Sequence, residues 1–194
     1  AKLPAASTTV QAVAKRYEET EFVDTTKSVW NYSLLTPEDV TNYQNGTNYQ
    51  LYKKFGSHSI QVNGTWGMYF CVWAPNASAV SVKGNFNDWK NHEYELYPRW
   101  DKSGIWEGFI PGFKLGEAYK YHIIGYAKRA LDKGDPFANF WEKRPQTASI
   151  TWDMYYEWKD AAWMKNRKKK NALDAPWSVY ELHLASWQRP VKDD

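Results

Sequence analysis

Gly67-Met68-Tyr69-Phe70-Cys71-Val72-Trp73-Ala74, closed by Pro75-Asn76, contains the densest apolar run in the chain. A short apolar run ending in turn formers reads as a strand. It falls well short of the roughly 18 residues needed to span a membrane. Immediately downstream, Val80 and Val82 alternate with Ser81 and Lys83, the period of a half-buried strand over Ala79 to Lys83. Gly84-Asn85-Phe86-Asn87-Asp88-Trp89 is a loop dense in turn residues. Glu93 to Arg99, Ile105 to Ile110, Ala118 to Gly125 and Ala148 to Trp152 read as further strands. Turns at Asp101 to Gly104, Pro111 to Glu117 and Asp132 to Pro136 separate most of them. Short strands at this spacing predict a mainly β protein, an immunoglobulin-like β-sandwich over residues 59–158.

Upstream of the sandwich, Thr36-Pro37-Glu38-Asp39 reads as a helix start, with a Thr cap, Pro at the first helical position and acids in the first turn. Val40 and Tyr43 continue that face until Asn45-Gly46. A second short helix is expected from Tyr49 to Phe55, so residues 35–58 form a short helical segment. Residues 1–34 read as a flexible leader, in which Val10, Val13, Ala14 and Tyr17 make only a thin apolar stripe. Downstream, Asp160 can cap a helix running to Lys170 within a basic linker, residues 159–175. Ala175-Pro176 breaks it, and Val179 to Leu184 reads as a buried strand in residues 176–194. The first residue is not Met and little sequence follows that strand, so the chain is expected to be a piece of a longer protein.

Composition narrows the function classes. The chain has 12 Trp, 14 Tyr and 8 Phe, yet its mean hydropathy is −0.74. Many rings therefore sit among polar neighbours, as they do where aromatic faces meet a polar ligand or where a small sandwich fills its core with large side chains. Lys159, Lys165, Arg167, Lys168, Lys169 and Lys170 against Asp160 and Asp174 put an excess of four positive charges on residues 159–174. The whole chain has a formal charge of +3, so the remainder is −1. That distribution is a solvated helix face rather than a nucleic-acid footprint. A single cysteine, Cys71, and no apolar stretch of signal-peptide kind near the start give the expectation of a cytoplasmic protein. His58, His92, His122 and His183 are too scattered for metal-ligand spacing, and no Gly-rich phosphate loop is present, so neither metal nor cofactor is expected.

Trp177-Ser178-Val179-Tyr180-Glu181-Leu182-His183-Leu184-Ala185-Ser186-Trp187 resembles the first barrel strand of the α-amylase superfamily, and within it the glycogen (1,4-α-glucan) branching enzymes. Phe70 to Ala77, Gly84 to Trp89, Gly104-Ile105-Trp106-Glu107, Tyr119-Lys120-Tyr121, Asp135-Pro136-Phe137-Ala138 and Arg144-Pro145-Gln146-Thr147-Ala148-Ser149 are similar to that family's N-terminal carbohydrate-binding module of family 48. Leu51 to His58 resembles the start of the same module. The resemblance implies a sandwich with short flanking helices, followed by the truncated first strand of an (α/β)8 barrel. The family's catalysis is retaining glycosyl transfer by barrel carboxylates. A barrel needs about 250 residues, so no catalytic residue is assigned in this chain and it is expected to be inactive alone. The partners implied are α-1,4-glucans such as glycogen or maltooligosaccharides, and the chain's own barrel, with no nucleic acid and no membrane.

Within the module, the resemblance makes Trp89 a sugar-stacking platform and Trp106 a second aromatic contact, while Lys120 can donate to sugar hydroxyls. Asn87 and Asn91 are the remaining candidate polar contacts. Each has a competing reading: Trp89 closing the sandwich edge, Trp106 in the core, Lys120 solvated, and the asparagines shaping turns. Gly125 to Leu131 carries no Trp, unlike the related glycogen-binding domain of AMP-activated kinase, and this puts a two-Trp clamp at that stretch in doubt. A purely structural domain, or the same module from a debranching enzyme, is the alternative function.

Overall fold

The computed structural model describes residues 25–126 and 128–187. The chain divides after Tyr155 into two units. Among the described residues of the first unit, ten strands run in chain order: β1 (Gly56–Val62), β2 (Thr65–Trp73), β3 (Ala77–Gly84), β4 (Tyr94–Glu95), β5 (Tyr97–Pro98), β6 (Ile105–Pro111), β7 (Ala118–Gly125), β8 (Ala130–Lys133), β9 (Phe140–Trp141) and β10 (Ser149–Ile150). One sheet is ordered β1-β2-β6-β5. The other is ordered β4-β3-β7-β10-β9, with β8 paired to β7. Every pairing is antiparallel. This is the immunoglobulin-like sandwich expected of the strand pattern.

Two cores explain the apolar run in β2. Between the sheets, Met68, Phe70 and Val72 meet Val80 and Val82 of β3 and Tyr119 and Tyr121 of β7. On the opposite face of the same strand, Tyr69 and Cys71 join Ile60, Ile105 and Phe109 beneath Trp30, Tyr32, Leu34, Leu35, Val40 and Phe55. A strand buried on both faces cannot alternate, so β2 reads as continuously apolar. Burial pushes the Cys71 thiol well above its ordinary range, and the neighbouring Glu107 charge adds to this. It is an inert core thiol.

Residues 29–34 correct the leader expectation. Val29, Trp30, Tyr32 and Leu34 are buried, and Trp30 exchanges two backbone hydrogen bonds with Phe109 of β6 at 2.7 and 2.9 Å. Gly108 makes the approach possible, because a Cβ there would lie 2.7 Å from Val29. Residues 1–24 of the proposed leader lie outside the described residues. Helix α1 (Pro37–Gln44) starts as read, with a reciprocal cap: Asp39 N–H donates to Thr36 Oγ1 at 3.0 Å, and Thr36 N–H donates to Asp39 Oδ2 at 2.8 Å. The second helix is reduced to a single 3₁₀ turn, Leu51–Lys53, because Gly56 starts β1.

A polar node lies on the core face of β6, under residues 29–35. Glu107 is 4% exposed. Its carboxylate accepts from Ser33 Oγ at 2.9 Å, from the Tyr69 hydroxyl and from the Arg99 guanidinium. Arg99 also donates to Asp101 at 2.8 Å. Burial pushes the Glu107 carboxyl up against the pull of Arg99. Burial alone would lower Arg99, but Glu107 and Asp101 more than offset that.

The expected strand Glu93 to Arg99 divides in two. Tyr94–Glu95 pairs with β3 and Tyr97–Pro98 with β6, so the chain crosses between sheets at the buried Leu96. In the second unit, α2 (Ala161–Lys170) follows Asp160, whose side chain makes no capping bond, and α2 has no buried residue. Val179 to Leu184 does not form the expected strand: residues 178–183 have no regular structure and a short α3 spans Leu184–Trp187. Among the described residues, no strand pairs with this segment. No helix among the described residues is long and apolar enough to cross a membrane.

Candidate functional site

Strand parity sorts the second sheet into two faces. Val80, Val82, Tyr119 and Tyr121 turn into the core. Ser81, Lys83, Lys120 and His122 therefore occupy the outer face. Register sets Lys83 opposite Lys120 and Ser81 opposite His122, with Asp132 of β8 on the far side of His122. The loop after β3 rises from the end of this face. It is held by Asn87, whose Oδ1 accepts from Gly84 N–H at 3.0 Å and whose Nδ2 donates to Lys90 O at 3.0 Å.

Trp89 sits at the tip of that loop and is half-buried. Its indole N–H donates to Asn85 Oδ1 at 3.0 Å. Asp88 and Trp89 have φ of 53° and 58°. The left-handed region costs a bulky L-residue on the order of 1–2 kcal/mol, and such strain concentrates at ligand-binding positions. Behind the loop, Lys83 Nζ donates to Asn91 Oδ1 and to Asp132 Oδ2, both at 2.9 Å. Asp132 Oδ1 lies 2.7 Å from His122 Nδ1, and the His92 ring stands edge-on to His122 at 5.2 Å. Farther along, half-buried Lys120 donates to the exposed Thr147 hydroxyl at 2.7 Å. No group of three or more His, Cys, Asp or Glu among the described residues is placed to hold a metal.

Three of the five sequence candidates share this face and its loop: Trp89, Asn91 and Lys120. Two do not offer themselves to a ligand. Trp106 is 8% exposed, belongs to the core between the sheets, and donates its indole N–H to Ala74 O at 3.1 Å. Strand parity puts it on the same side as buried Ile110, and core packing prevails. Asn87 is 6% exposed with both ends of its amide committed to the loop backbone. Sequence reasoning missed Lys83, His122 and Asp132, of which Lys83 and His122 are buried, at 9% and 6% exposed, and brace the face rather than meet a ligand. The first two were legible as outward positions of two paired strands, but Asp132 was hidden because β8 reads as a turn.

Burial alone would raise the Asp132 carboxyl, but hydrogen bonds from His122 and Lys83 outweigh it and hold it below the ordinary carboxylate range. A carboxylate held low in the fold contributes stability that is present above its unfolded value and lost as pH falls through its folded value. Asp132→Asn is therefore expected to flatten the loss of stability below about pH 4. Urea midpoints between neutral and acid pH measure this, and an acid limb identical to wild type would contradict it.

Comparison with known proteins follows the same segment. Residues 54–138 match carbohydrate-binding module 48, described as the isoamylase N-terminal domain. The chain is 46% identical over 158 residues to the 1,4-alpha-glucan branching enzyme GlgB of Aromatoleum aromaticum, covering 81% of this chain and 24% of that protein. It is 47% identical over 157 residues to the GlgB of Albidiferax ferrireducens, covering 80% and 25%. The chain thus spans about a quarter of the length of the curated relatives it matches. A pullulanase of Klebsiella pneumoniae in complex with maltotriose aligns at a TM-score of 0.40 and 24% identity, covering 52% of this chain and 10% of that one. The outer sheet face of the matched segment holds Lys83, Lys120, His122 and the base of the Trp89 loop.

Proposed function

We propose that this chain is the glucan-binding and scaffold part of a 1,4-α-glucan branching enzyme of glycogen synthesis. On this reading, the rest of the protein cleaves an α-1,4 bond and forms an α-1,6 bond, and the chain alone binds without cutting. The observation that carries the reading is the strained, half-buried Trp89 at the rim of a face lined with amine, amide and hydroxyl groups. Glucose presents apolar C–H faces and a rim of hydroxyls, which suits one aromatic plane beside several donors. Trp89 supplies the plane. Lys120 keeps ammonium donors beyond the one given to Thr147, and Asn91 keeps its Nδ2 donors. The module would hold a long glucan near the barrel and raise its local concentration by tethering. A cytoplasmic location goes with this role.

Burial of Trp106 favours a second reading, in which the module only supports the barrel. Titration with maltoheptaose, followed by tryptophan fluorescence, separates the two. Saturable binding by the wild-type chain that falls about tenfold or more in Trp89→Ala is the expected result, since a lost aromatic contact with a ligand is worth roughly a factor of ten. A folded wild-type chain that binds no maltoheptaose at millimolar concentration would leave the scaffold reading.

A further inference from the structure

The outer face does not end at Lys120. Next to β7, Ile150 of β10 lies opposite Ala118, and on its other side opposite Phe140 of β9. Tyr119 turns into the core, so Ala118, Ile150 and Phe140 share the outer side with Lys120. Trp152, two residues past Ile150, stacks on Phe140 with ring centroids 4.7 Å apart and planes 26° from parallel. The two rings are 45% and 46% exposed, and neither belongs to the two cores. An aromatic pair that fills no core and stays open to water presents a flat apolar surface for a ligand.

We infer that Phe140 and Trp152 form a second sugar platform, so that the module takes an extended α-1,4-glucan laid across the strands rather than a short oligosaccharide. The inference rests on the glucan-binding reading of the Trp89 face. From β3 to β9 the sheet has three strand intervals, about 14 Å, longer than one or two sugar rings. Between the platforms, Lys120 and Thr147 supply donors to hydroxyls along the way. The alternation of aromatic plane, polar pair and aromatic plane matches a polyhydroxylated chain, whereas an apolar protein partner would bury the Lys120 ammonium.

The test compares maltotriose with maltoheptaose on the whole chain, using wild type, Trp89→Ala, Phe140→Ala, Trp152→Ala and the conservative Trp152→Phe. The expected pattern has Trp89→Ala weakening both sugars. Phe140→Ala and Trp152→Ala weaken maltoheptaose by about tenfold, the scale of a lost stacking contact, and leave maltotriose unchanged. Trp152→Phe keeps the plane and retains most of the affinity. Circular dichroism shows that each variant is folded. Maltoheptaose binding at wild-type strength in folded Phe140→Ala and Trp152→Ala would overturn the second platform while leaving Trp89 as the site. Equal losses for both sugars would also overturn it, by showing a single site. Absence of binding by wild type would overturn the glucan reading itself, and the platform with it.

Discussion

Glu107→Ala is expected to lower the unfolding free energy by about 3–5 kcal/mol, the cost of breaking a buried ion pair by removing one partner. Glu107 is the acceptor on which Ser33, Tyr69 and Arg99 converge. Removing it leaves the Arg99 guanidinium with Asp101 and Ser33 alone and strands a phenol in the core. The loss should be local as well as global. Ser33 connects residues 29–35 to the sheet, so hydrogen exchange of the Trp30 and Phe109 amides should speed up first. Glu107→Gln keeps an acceptor for Tyr69 and should cost less. The double change Glu107→Met with Arg99→Met should recover part of the loss, because apolar pairs of similar size often replace buried ion pairs without penalty. Urea denaturation measures all three, and a Glu107→Ala protein within about 1 kcal/mol of wild type would show that the node is not stabilising.

Asp135→Ala is the second large effect, at about 3 kcal/mol or more. Asp135 has no exposed surface. It accepts from Tyr119 Oη at 2.6 Å, Tyr121 Oη at 3.0 Å and Phe137 N–H at 2.8 Å, and its own N–H donates to Ser149 Oγ at 2.8 Å. Burial pushes its carboxyl up, and the donors only partly counter this. Alanine would leave two phenol hydroxyls and a backbone N–H unpaired, each worth about 1–3 kcal/mol when buried. Tyr121→Phe removes one donor and leaves the others satisfied, so it should cost about 1 kcal/mol. If Asp135→Ala cost no more than Tyr121→Phe, the carboxylate would not be the shared acceptor that holds β7 to the β8–β9 connection.

The sandwich was legible where the sequence carried period or punctuation. Ala118 to Gly125 forms β7 over the residues read as a strand after the turn at Pro111 to Glu117, and Thr36 to Asp39 closes the cap that its residue types implied. β1 escaped notice because Ile60 and Val62 are its only large aliphatic residues, although Asn63-Gly64 after it is a hairpin signal. Both residues take left-handed φ, 48° and 77°, between Val62 and its partner Thr65. The burial of Trp30 and Tyr32 was not legible, since nothing local distinguishes an isolated aromatic in a leader from one that covers a sheet. The site was half legible. Trp89, Asn91 and Lys120 came from a loop and a strand whose motifs are contiguous. The Lys83–Asp132–His122 group joins three strands, and the Phe140–Trp152 stack joins β9 to the residues just after β10. Only the register brings these together.

Trp30 beside Phe109 also separates what is inherited from what folds. The family pattern begins at residue 54, but the cover on Ile105 and Phe109 comes from residues 30–40. A graft cut at the family border would carry the recognisable module into a new host with one sheet stripped on its outer side and an unpaired edge at β6, open to association with other chains. A graft taken from residue 25 to residue 155 would carry its own cover. For transplanting the Trp89 face, the portable piece is defined by its second core rather than by its signature.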